Sequence, residues 1–428
     1  MTTTAELPTQ LGTTGLSGGY TVLPDGRVRV PDGYTVDAET LRRALASVPA
    51  NTRRSRDARA EAFVGWCRDH GRLHTDPGTL ADYAAWLAGR RHPAETIAAY
   101  TSTVAGRLAV DARVLVSASE RDLIAQVIAH RAQEEAADPD GQDDPLQATE
   151  CTRQDLAAML AVHAPDTVQG IRDRFILALD WYMAGRASEP ASLNLRDIAV
   201  ESAQYRDPGT GELLDLAVLV VTLRRSKTNA YARSRDVIRI AAQDDATCPV
   251  AAWRAWHAVL TAHGVTSGPL LRRVKNDRLT TAGRPPADPT RAGGIGDRTI
   301  RNLIRDSARA AGLARDLAPE ERELLSVSAE SAELAAADST AAREAIRVRR
   351  RLARRALRRA LPRYSGHSMR RGQVRHLQRL GTPRHVIERQ LRYVPGSKAL
   401  ARYEDGTVAM AENPTVPARL RRFRAPSP

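Results

Sequence analysis

The sequence predicts a mainly α-helical protein with one small β-sheet, an α+β fold, and three observations support this prediction. Apolar residues recur at helical spacing through most of the 428-residue chain. Two β-branched runs joined by a polar turn gather within residues 217–241. An acidic stretch with Pro and Gly, residues 134–150, has the composition of an interdomain linker. A chain of this length can hold two or three domains, each with its own core.

The region before the linker is predicted to hold a short appendage and a helical domain. Within residues 1–40, two copies of "GYTV" flank alternating Val and Arg between Pro-Asp-Gly turns, which predicts a small β-hairpin or a flexible tail with local strand character. Residues 41–133 show repeated apolar stripes, for example Ala60, Phe63, Val64 and Cys67 on one face. These stripes predict core packing in a bundle of four or five helices.

The region after the linker, residues 151–428, is predicted to be a larger helical domain with a hairpin or three-stranded sheet and a C-terminal tail after Tyr403. Within it, residues 315–363 form an insert in which an acidic, Ala-rich helix precedes an Arg-rich one. Eight arginines fall between Arg347 and Arg359, so the apolar stripe of that helix is thin. Two interpretations stay open: the insert is a solvated charged helix, or it lies against phosphates or protein.

The bulk composition excludes some functional classes. No run of eighteen apolar residues is present, which argues against a membrane partner, and the first twenty residues lack the pattern of a secretory signal. Three scattered cysteines match no disulfide framework or metal spacing, so we expect a reducing, cytoplasmic setting. Lys and Arg total 64 against 50 acidic residues, a net charge of +14, which favours a nucleic-acid partner or reflects a coding bias toward Arg.

Five residues of the second domain could act together on a phosphate group. In chain order they are Arg186, Lys227, His367, Arg370 and Tyr403. In isolation, each has an ordinary interpretation as a solvated or structural residue. Together, cationic donors and a tyrosine hydroxyl suit in-line attack of the phenol on a phosphodiester, with charge on the phosphate oxygens neutralised by the cations. No Gly-rich phosphate loop, nucleophile elbow or acidic metal site is evident in the sequence.

The segments that hold these residues resemble those of tyrosine recombinases of the phage-integrase type. "GRASEPASLNLRDI" resembles the segment with the first catalytic arginine, Arg186, and Glu189, three residues later, is its structural neighbour there at a spacing suited to an ion pair or a cap. "RSKTN" resembles the turn with the catalytic lysine, Lys227. "SGHSMRRG" resembles the His-x-x-Arg segment, with His367 and Arg370, and "LRYVPGSKALARYED" resembles the nucleophile segment, with Tyr403. The resemblance runs from about residue 51 to 403, less the insert. It implies a helical core-binding (SAM-like) domain and a catalytic domain that form a C-shaped clamp on DNA.

One position departs from the family pattern. The family has a His or Trp after a Leu-Gly pair shortly before the nucleophile, and alignment through "LRY" places Tyr393 there, ten residues before Tyr403. A count one residue shorter would select Val394, which has no group to donate. Because a tyrosine hydroxyl can still donate to a phosphate oxygen, we assign Tyr393 to this position.

The resemblance implies a mechanism without a cofactor. Tyr403 attacks the scissile phosphate, which forms a 3′-phosphotyrosyl link and frees a 5′-hydroxyl. Arg186 and Arg370 hold the non-bridging oxygens, Lys227 protonates the leaving 5′ oxygen, and His367 acts as a donor to the phosphate or as a base toward the phenol. The implied enzyme is a site-specific recombinase that integrates or excises a mobile element, with activity expected at the nucleoid.

The implied partners are duplex DNA with specific recombination sites, three further copies of the chain in a tetramer on paired sites, and accessory DNA-bending or directionality factors. Three alternatives share parts of this pattern. A type IB topoisomerase and a telomere resolvase use the same chemistry. A catalytically silent DNA-binding protein of the same fold would keep the architecture without the reaction, and Tyr393 is the feature that favours it.

Overall fold

The structure, a computed structural model, describes residues 21–29, 34–48, 50–138, 146–207, 209–224, 235–280, 291–401 and 403. Lys227 and the tail after Tyr403 lie outside these described residues. The chain divides into two compact units, Met1–Pro145 with Ser326–Ala356, and Leu146–Leu325 with Leu357–Pro428. Among the described residues, no helix carries an apolar stretch long enough to cross a bilayer.

The described chain is mainly helical with small antiparallel sheets, which confirms the predicted fold class. The first unit begins with a three-stranded antiparallel sheet made of β1 (Thr21–Val22), β2 (Arg27–Arg29) and β3 (Thr35–Asp37). The sequence left a hairpin and a flexible tail with local strand character open for this region, and the structure has strands here, with a third strand at the second "GYTV" copy. Val28 on the central strand is fully buried, because alternate residues of a strand face opposite sides.

Five helices follow the sheet in the first unit. They are α1 (Ala38–Ser47), α2 (Ala50–Asp69), α3 (Thr79–Gly89), α4 (Ala94–Arg107), which continues as a π-helical turn (Leu108–Ala112), and α5 (Ala118–Ala136). The apolar stripes of α2 to α5 meet in one core that includes the predicted residues Phe63 and Cys67, while α1 packs on the strands β2 and β3. The helix α5 begins at an N-cap, Ser117, whose hydroxyl accepts a hydrogen bond from the backbone N–H of Glu120.

Most of the Arg-rich insert belongs to this first unit, as the helices α12 (Val327–Ala336) and α13 (Thr340–Ala360). Ion pairs join the two helices. Arg350 of α13 is buried and donates to a carboxylate oxygen of Glu333 at 2.7 Å, and Arg354 donates to Glu330 at 2.6 Å. Part of the arginine charge is therefore engaged by acidic residues of the neighbouring helix.

The second unit combines nine helices with two small antiparallel sheets in the described residues. The helices are α6 (Arg153–Ala161), α7 (Val168–Met183), α8 (Ser188–Ser192), α9 (Pro249–Ala262), α10 (Asp297–Ala310), α11 (Pro319–Leu325), α14 (Gly366–Arg379), α15 (Arg384–Gln390) and α16 (Lys398–Ala401). The strands are β4 (Ile198–Arg206), β5 (Leu213–Leu223) and β6 (Asp236–Ala241) in one sheet, and β7 (Val274–Lys275) and β8 (Arg278–Leu279) in the other.

The helix α7 forms the centre of the second unit. It is buried on nearly all sides, and α6, α9 and α14 pack around it. Its last turn ends at Met183, and the next residue, Ala184, takes a left-handed conformation with φ of 44°. The chain leaves the helix at this residue and continues through Arg186 into the short helix α8. The first predicted site residue therefore lies directly after the end of the buried helix α7.

Candidate active site

The first turn of α14 carries His367 and Arg370. At the start of this helix the backbone N–H of Ser365 donates to the hydroxyl of Ser368 at 2.9 Å, and the N–H of Ser368 donates to the carbonyl of Ser365 at 2.8 Å. The helix also packs closely on α7 and on the segment before α6, where the backbone N–H of Cys151 donates to the carbonyl of Ser368 at 3.1 Å. These contacts fix the direction in which the His367 and Arg370 side chains leave the helix.

Arg370 is buried and its guanidinium uses several of its donors inside the protein. One nitrogen donates to the carbonyl oxygen of Ala184 at 2.6 Å, and another to that of Leu391 at 3.3 Å. Its Nε donates to the hydroxyl of Tyr393 at 2.5 Å, and the guanidinium carbon lies 4.2 Å from the centre of that ring. The left-handed turn at Ala184 exposes the carbonyl that receives the first bond. The predicted residues Arg370 and Tyr393 are therefore in direct contact.

Tyr403 lies beside His367. The phenol oxygen of Tyr403 and Nδ1 of His367 are 2.8 Å apart, and the two rings are nearly parallel with centroids separated by 6.3 Å. The sequence offered little reason for Tyr403 to be part of a core. In the structure its ring packs against the apolar cluster that contains Val374 and Leu400. This packing holds the phenol in place while its hydroxyl reaches the imidazole.

The two tyrosines are neighbours as well. The ring centroids of Tyr393 and Tyr403 are 6.5 Å apart. Burial raises the pKa of Tyr393, and the positive charges of Arg370 and Arg186 oppose that rise. The Tyr393 hydroxyl therefore keeps its proton at neutral pH. Because it accepts a hydrogen bond from Arg370, its own proton remains free to be donated elsewhere.

Arg186 is held from the side by Glu189. One guanidinium nitrogen donates to Glu189 at 3.3 Å, while 37% of the Arg186 side chain stays exposed. The backbone N–H of Glu189 donates to the carbonyl of Arg186 at 2.6 Å and closes the turn between them. The predicted neighbour relation of Arg186 and Glu189 is therefore present, and the arginine keeps a face open to solvent.

Sequence reasoning did not identify Arg392 as part of the site. Its side chain is 12% exposed, donates to the second carboxylate oxygen of Glu189 at 2.6 Å, and lies within 3.5 Å of the Met183 carbonyl. Burial lowers the pKa of Arg392, and Glu189 counteracts this. The backbone of Arg392 has φ of 57°, in the left-handed region that a non-glycine residue rarely adopts. An arginine in the place of glycine in "LRY" was the signal that could have pointed to it.

Lys227 lies outside the described residues, so its position relative to the other predicted residues is not described. The strands on either side of it, β5 and β6, are paired in register, with Leu223 opposite Asp236. Directly after β5, Arg224 donates to a buried carboxylate of Asp197 at 2.6 Å. This ion pair fixes the end of β5, the strand that precedes Lys227 in the sequence.

The arrangement is suited to reactions of an oxyanion. The phenol of Tyr403 is within hydrogen-bonding distance of the His367 imidazole. The phenol of Tyr393 contacts the Arg370 guanidinium, and the partly exposed guanidinium of Arg186 lies nearby. An imidazole can accept a proton from the first phenol or donate to an anion. Guanidinium groups recognise phosphate and carboxylate oxygens through several hydrogen bonds. The site can therefore bind an anionic group beside a nucleophilic oxygen.

Comparisons with known proteins show a similarity of structure. No protein-family model matches the chain, and no curated protein matches it in sequence. Among solved structures, a match is the crystal structure of a lambda integrase dimer bound to a COC' core site, with 12% sequence identity and a TM-score of 0.42. The alignment covers 86% of this chain and 75% of that chain. At this identity and TM-score, the match supports no conclusion about the function of this chain.

Proposed function

We propose that this protein is a tyrosine-type site-specific DNA recombinase that cleaves and rejoins duplex DNA through a 3′-phosphotyrosyl intermediate, as an integrase of a mobile element does. The observation that carries the proposal is the pairing of the Tyr403 phenol with Nδ1 of His367 at 2.8 Å. The same α14 turn carries Arg370, which reaches Tyr393 beside that phenol. A nucleophile, a proton acceptor and phosphate-binding donors are thus available in one place.

Each residue has a role in the proposed reaction. A free phenol loses its proton only near about pH 10, so His367 takes the proton of Tyr403 as the phenolate oxygen attacks phosphorus. Arg370, Arg186 and the hydroxyl of Tyr393 neutralise the negative charge that builds up on the non-bridging oxygens. The bond from phosphorus to the 5′ oxygen breaks, and Lys227 supplies the proton to that leaving oxygen.

The reverse reaction restores the DNA. A 5′-hydroxyl, from the same or from another duplex, attacks the phosphotyrosyl bond and regenerates the phenol of Tyr403. One phosphodiester is broken and one is formed, so no ATP is consumed. Exchange between two duplexes engages four strands and therefore four copies of the chain. The net charge of +14 favours association with such a polyanionic substrate.

A suicide substrate tests the proposal. A duplex that carries the cognate site and a nick beside the scissile phosphate loses its 5′-hydroxyl fragment after cleavage, which traps the covalent complex. We expect a protein–DNA band on a denaturing gel with the wild type and none with Tyr403→Phe. Absence of the band with every candidate duplex, taken from repeats in the DNA on either side of the gene, would instead indicate a silent DNA-binding protein. Site-independent relaxation of plasmids would indicate a topoisomerase, and hairpin products a telomere resolvase.

A further inference from the structure

A fully buried carboxyl group lies near the candidate site and has not been assigned a role. Asp180 is in the last turns of α7, six residues before Arg186, and none of its surface is exposed. Neither of its side-chain oxygens has a hydrogen-bond partner within the described part of the chain. An ionised carboxylate without donors is among the most expensive groups to bury in a protein.

The carboxyl group of Asp180 lies close to that of Glu189. A Cβ atom built on Gly185 would be 3.3 Å from Oε2 of Glu189 and 3.8 Å from Oδ1 of Asp180, so both groups face this glycine. Glu189 already accepts hydrogen bonds from Arg186 at 3.3 Å and from Arg392 at 2.6 Å. The two arginines next to Glu189 are therefore engaged by Glu189.

The charged or titratable groups that face Asp180 come from three surrounding segments. Burial is the main factor that raises the pKa of Asp180, to about 8, the negative charge of Glu189 on α8 adds to the rise, and Arg370 on α14 opposes it. The Cys151 thiol, in the segment before α6, is also close enough for Asp180 to contribute to the raised pKa of that thiol. Arg370 donates to two backbone carbonyls and to Tyr393, and makes no hydrogen bond to Asp180 among the described contacts.

We propose that Asp180 is a positioning residue that works as a neutral, protonated carboxylic acid behind the arginines of the site. Because a neutral acid does not attract the arginines, Arg186 and Arg392 remain paired with Glu189. The positive charge of Arg370 remains available to the substrate phosphate. When Asp180 releases its proton to mildly alkaline solvent, a second negative charge appears beside Glu189. That charge attracts Arg370 and Arg392 and weakens phosphate binding.

The protonation state can be measured without any activity assay. An infrared difference spectrum of the full-length protein, pH 7 minus pH 10, should show the carbonyl stretch of a carboxylic acid at the lower pH, because ordinary carboxyl groups are ionised at both values. The band should be absent from Asp180→Asn. Its absence from the wild type would overturn the inference, and this wild-type spectrum requires no variant to fold.

The consequence for the site rests on the proposed recombinase function, and the pH profile of covalent-complex formation tests it. With the nicked duplex, the wild-type rate should fall up to tenfold per pH unit once Asp180 ionises. Asp180→Asn, which imitates the neutral acid, should lack this fall and so exceed the wild type about tenfold near pH 9. Parallel profiles of the two proteins would overturn the positioning role. If neither forms a complex at any pH, the proposed function fails, while the infrared band still decides the state of Asp180.

Discussion

At the scale of single residues, Arg370 and Arg392 of the site donate hydrogen bonds to different kinds of acceptor. Arg392 is paired with a carboxylate, Glu189, so its charge is largely compensated. The hydrogen bonds of Arg370 go to two carbonyl oxygens and a phenol, all of them neutral groups. Because these acceptors orient the guanidinium without cancelling its charge, Arg370 is the better suited of the two to stabilise a phosphate.

The hydroxyl of Tyr393 provides a test at this scale. Since it accepts a hydrogen bond from Arg370 at 2.5 Å, its proton is available to a phosphate oxygen. We expect Tyr393→Phe to slow single-turnover cleavage of the nicked duplex by about 10²–10³, the usual cost of one lost donor to a developing oxyanion. Tyr393→His, which keeps a donor, should recover most of the rate. An unchanged rate in Tyr393→Phe would remove this residue from the mechanism.

Asp180 should also shape the pH dependence of stability. Its pKa is raised from 3.8 to about 8 by burial, so the folded protein holds this proton more tightly than the unfolded chain does. Its contribution to stability is therefore complete below about pH 4 and is lost as the pH rises toward 8, at up to about 1.4 kcal/mol per pH unit. In urea unfolding measured from pH 5 to pH 8, the free energy of unfolding of Asp180→Asn should rise relative to that of the wild type as the pH increases. A constant difference would contradict this prediction.

At the scale of elements, the position of α14 depends on a close backbone contact. A Cβ atom on Gly372 would lie 1.7 Å from the carbonyl oxygen of Cys151 and 3.1 Å from the indole nitrogen of Trp181. That indole nitrogen donates to the same carbonyl at 2.9 Å. Only glycine lets the helix approach so closely, and the approach brings His367 and Arg370 to the end of α7.

We therefore expect Gly372→Ala to destabilise the protein by about 3 kcal/mol or more, because backbone atoms cannot yield as a flexible side chain would. Cleavage of the nicked duplex should fall as well, since α14 must shift. Gly296→Ala is the matched control, because a Cβ there meets nothing within 4 Å, and we expect it to cost less than about 1 kcal/mol. Equal denaturant midpoints for the two variants would show that the backbone of Cys151 can move away from residue 372 at little cost.

The α12–α13 pair offers a second comparison between elements. Arg349 and Arg350 both pair with Glu333 at 2.7 Å, but the exposed fractions of their side chains are 68% and 4%. A surface ion pair contributes little, whereas the buried Arg350 also donates to the carbonyl of Ser326, so its replacement removes packing and more than one hydrogen bond. We expect Arg350→Ala to cost about 1–3 kcal/mol and Arg349→Ala less than about 1 kcal/mol, measured by chemical unfolding. Similar losses would mean that burial does not set the strength of these pairs.

At the scale of the whole molecule, the proposed function predicts that net charge governs DNA binding. A chain with 64 basic and 50 acidic residues should displace counterions when it binds a duplex. If about 6–10 phosphates are contacted, affinity should fall about 10³–10⁵-fold between 50 and 200 mM salt, in fluorescence anisotropy with Tyr403→Phe as a non-cleaving protein. An affinity that barely changes with salt would argue against a phosphate-binding protein.

The sequence alone determined the features that depend on local rules and on composition. Helical spacing predicted the α+β class, and a separation of three residues put His367 and Arg370 on the same face of one turn. A local pattern also indicated that Arg186 and Glu189 are paired. The arginines of α13 were visible as a charged stripe, but their acidic partners on α12 were not.

Tertiary structure alone decided which distant groups meet. The bonds from His367 to Tyr403, Arg370 to Tyr393 and Arg392 to Glu189 span 36, 23 and 203 residues of sequence. Such contacts depend on how α7, α14 and the chain after α15 pack, and no periodic pattern encodes that packing. The burial of Asp180 also depends on this packing, because an aspartate is by default expected to be ionised and exposed. Burial without a donor is what makes its neutral form the stable one, because desolvation penalises charge.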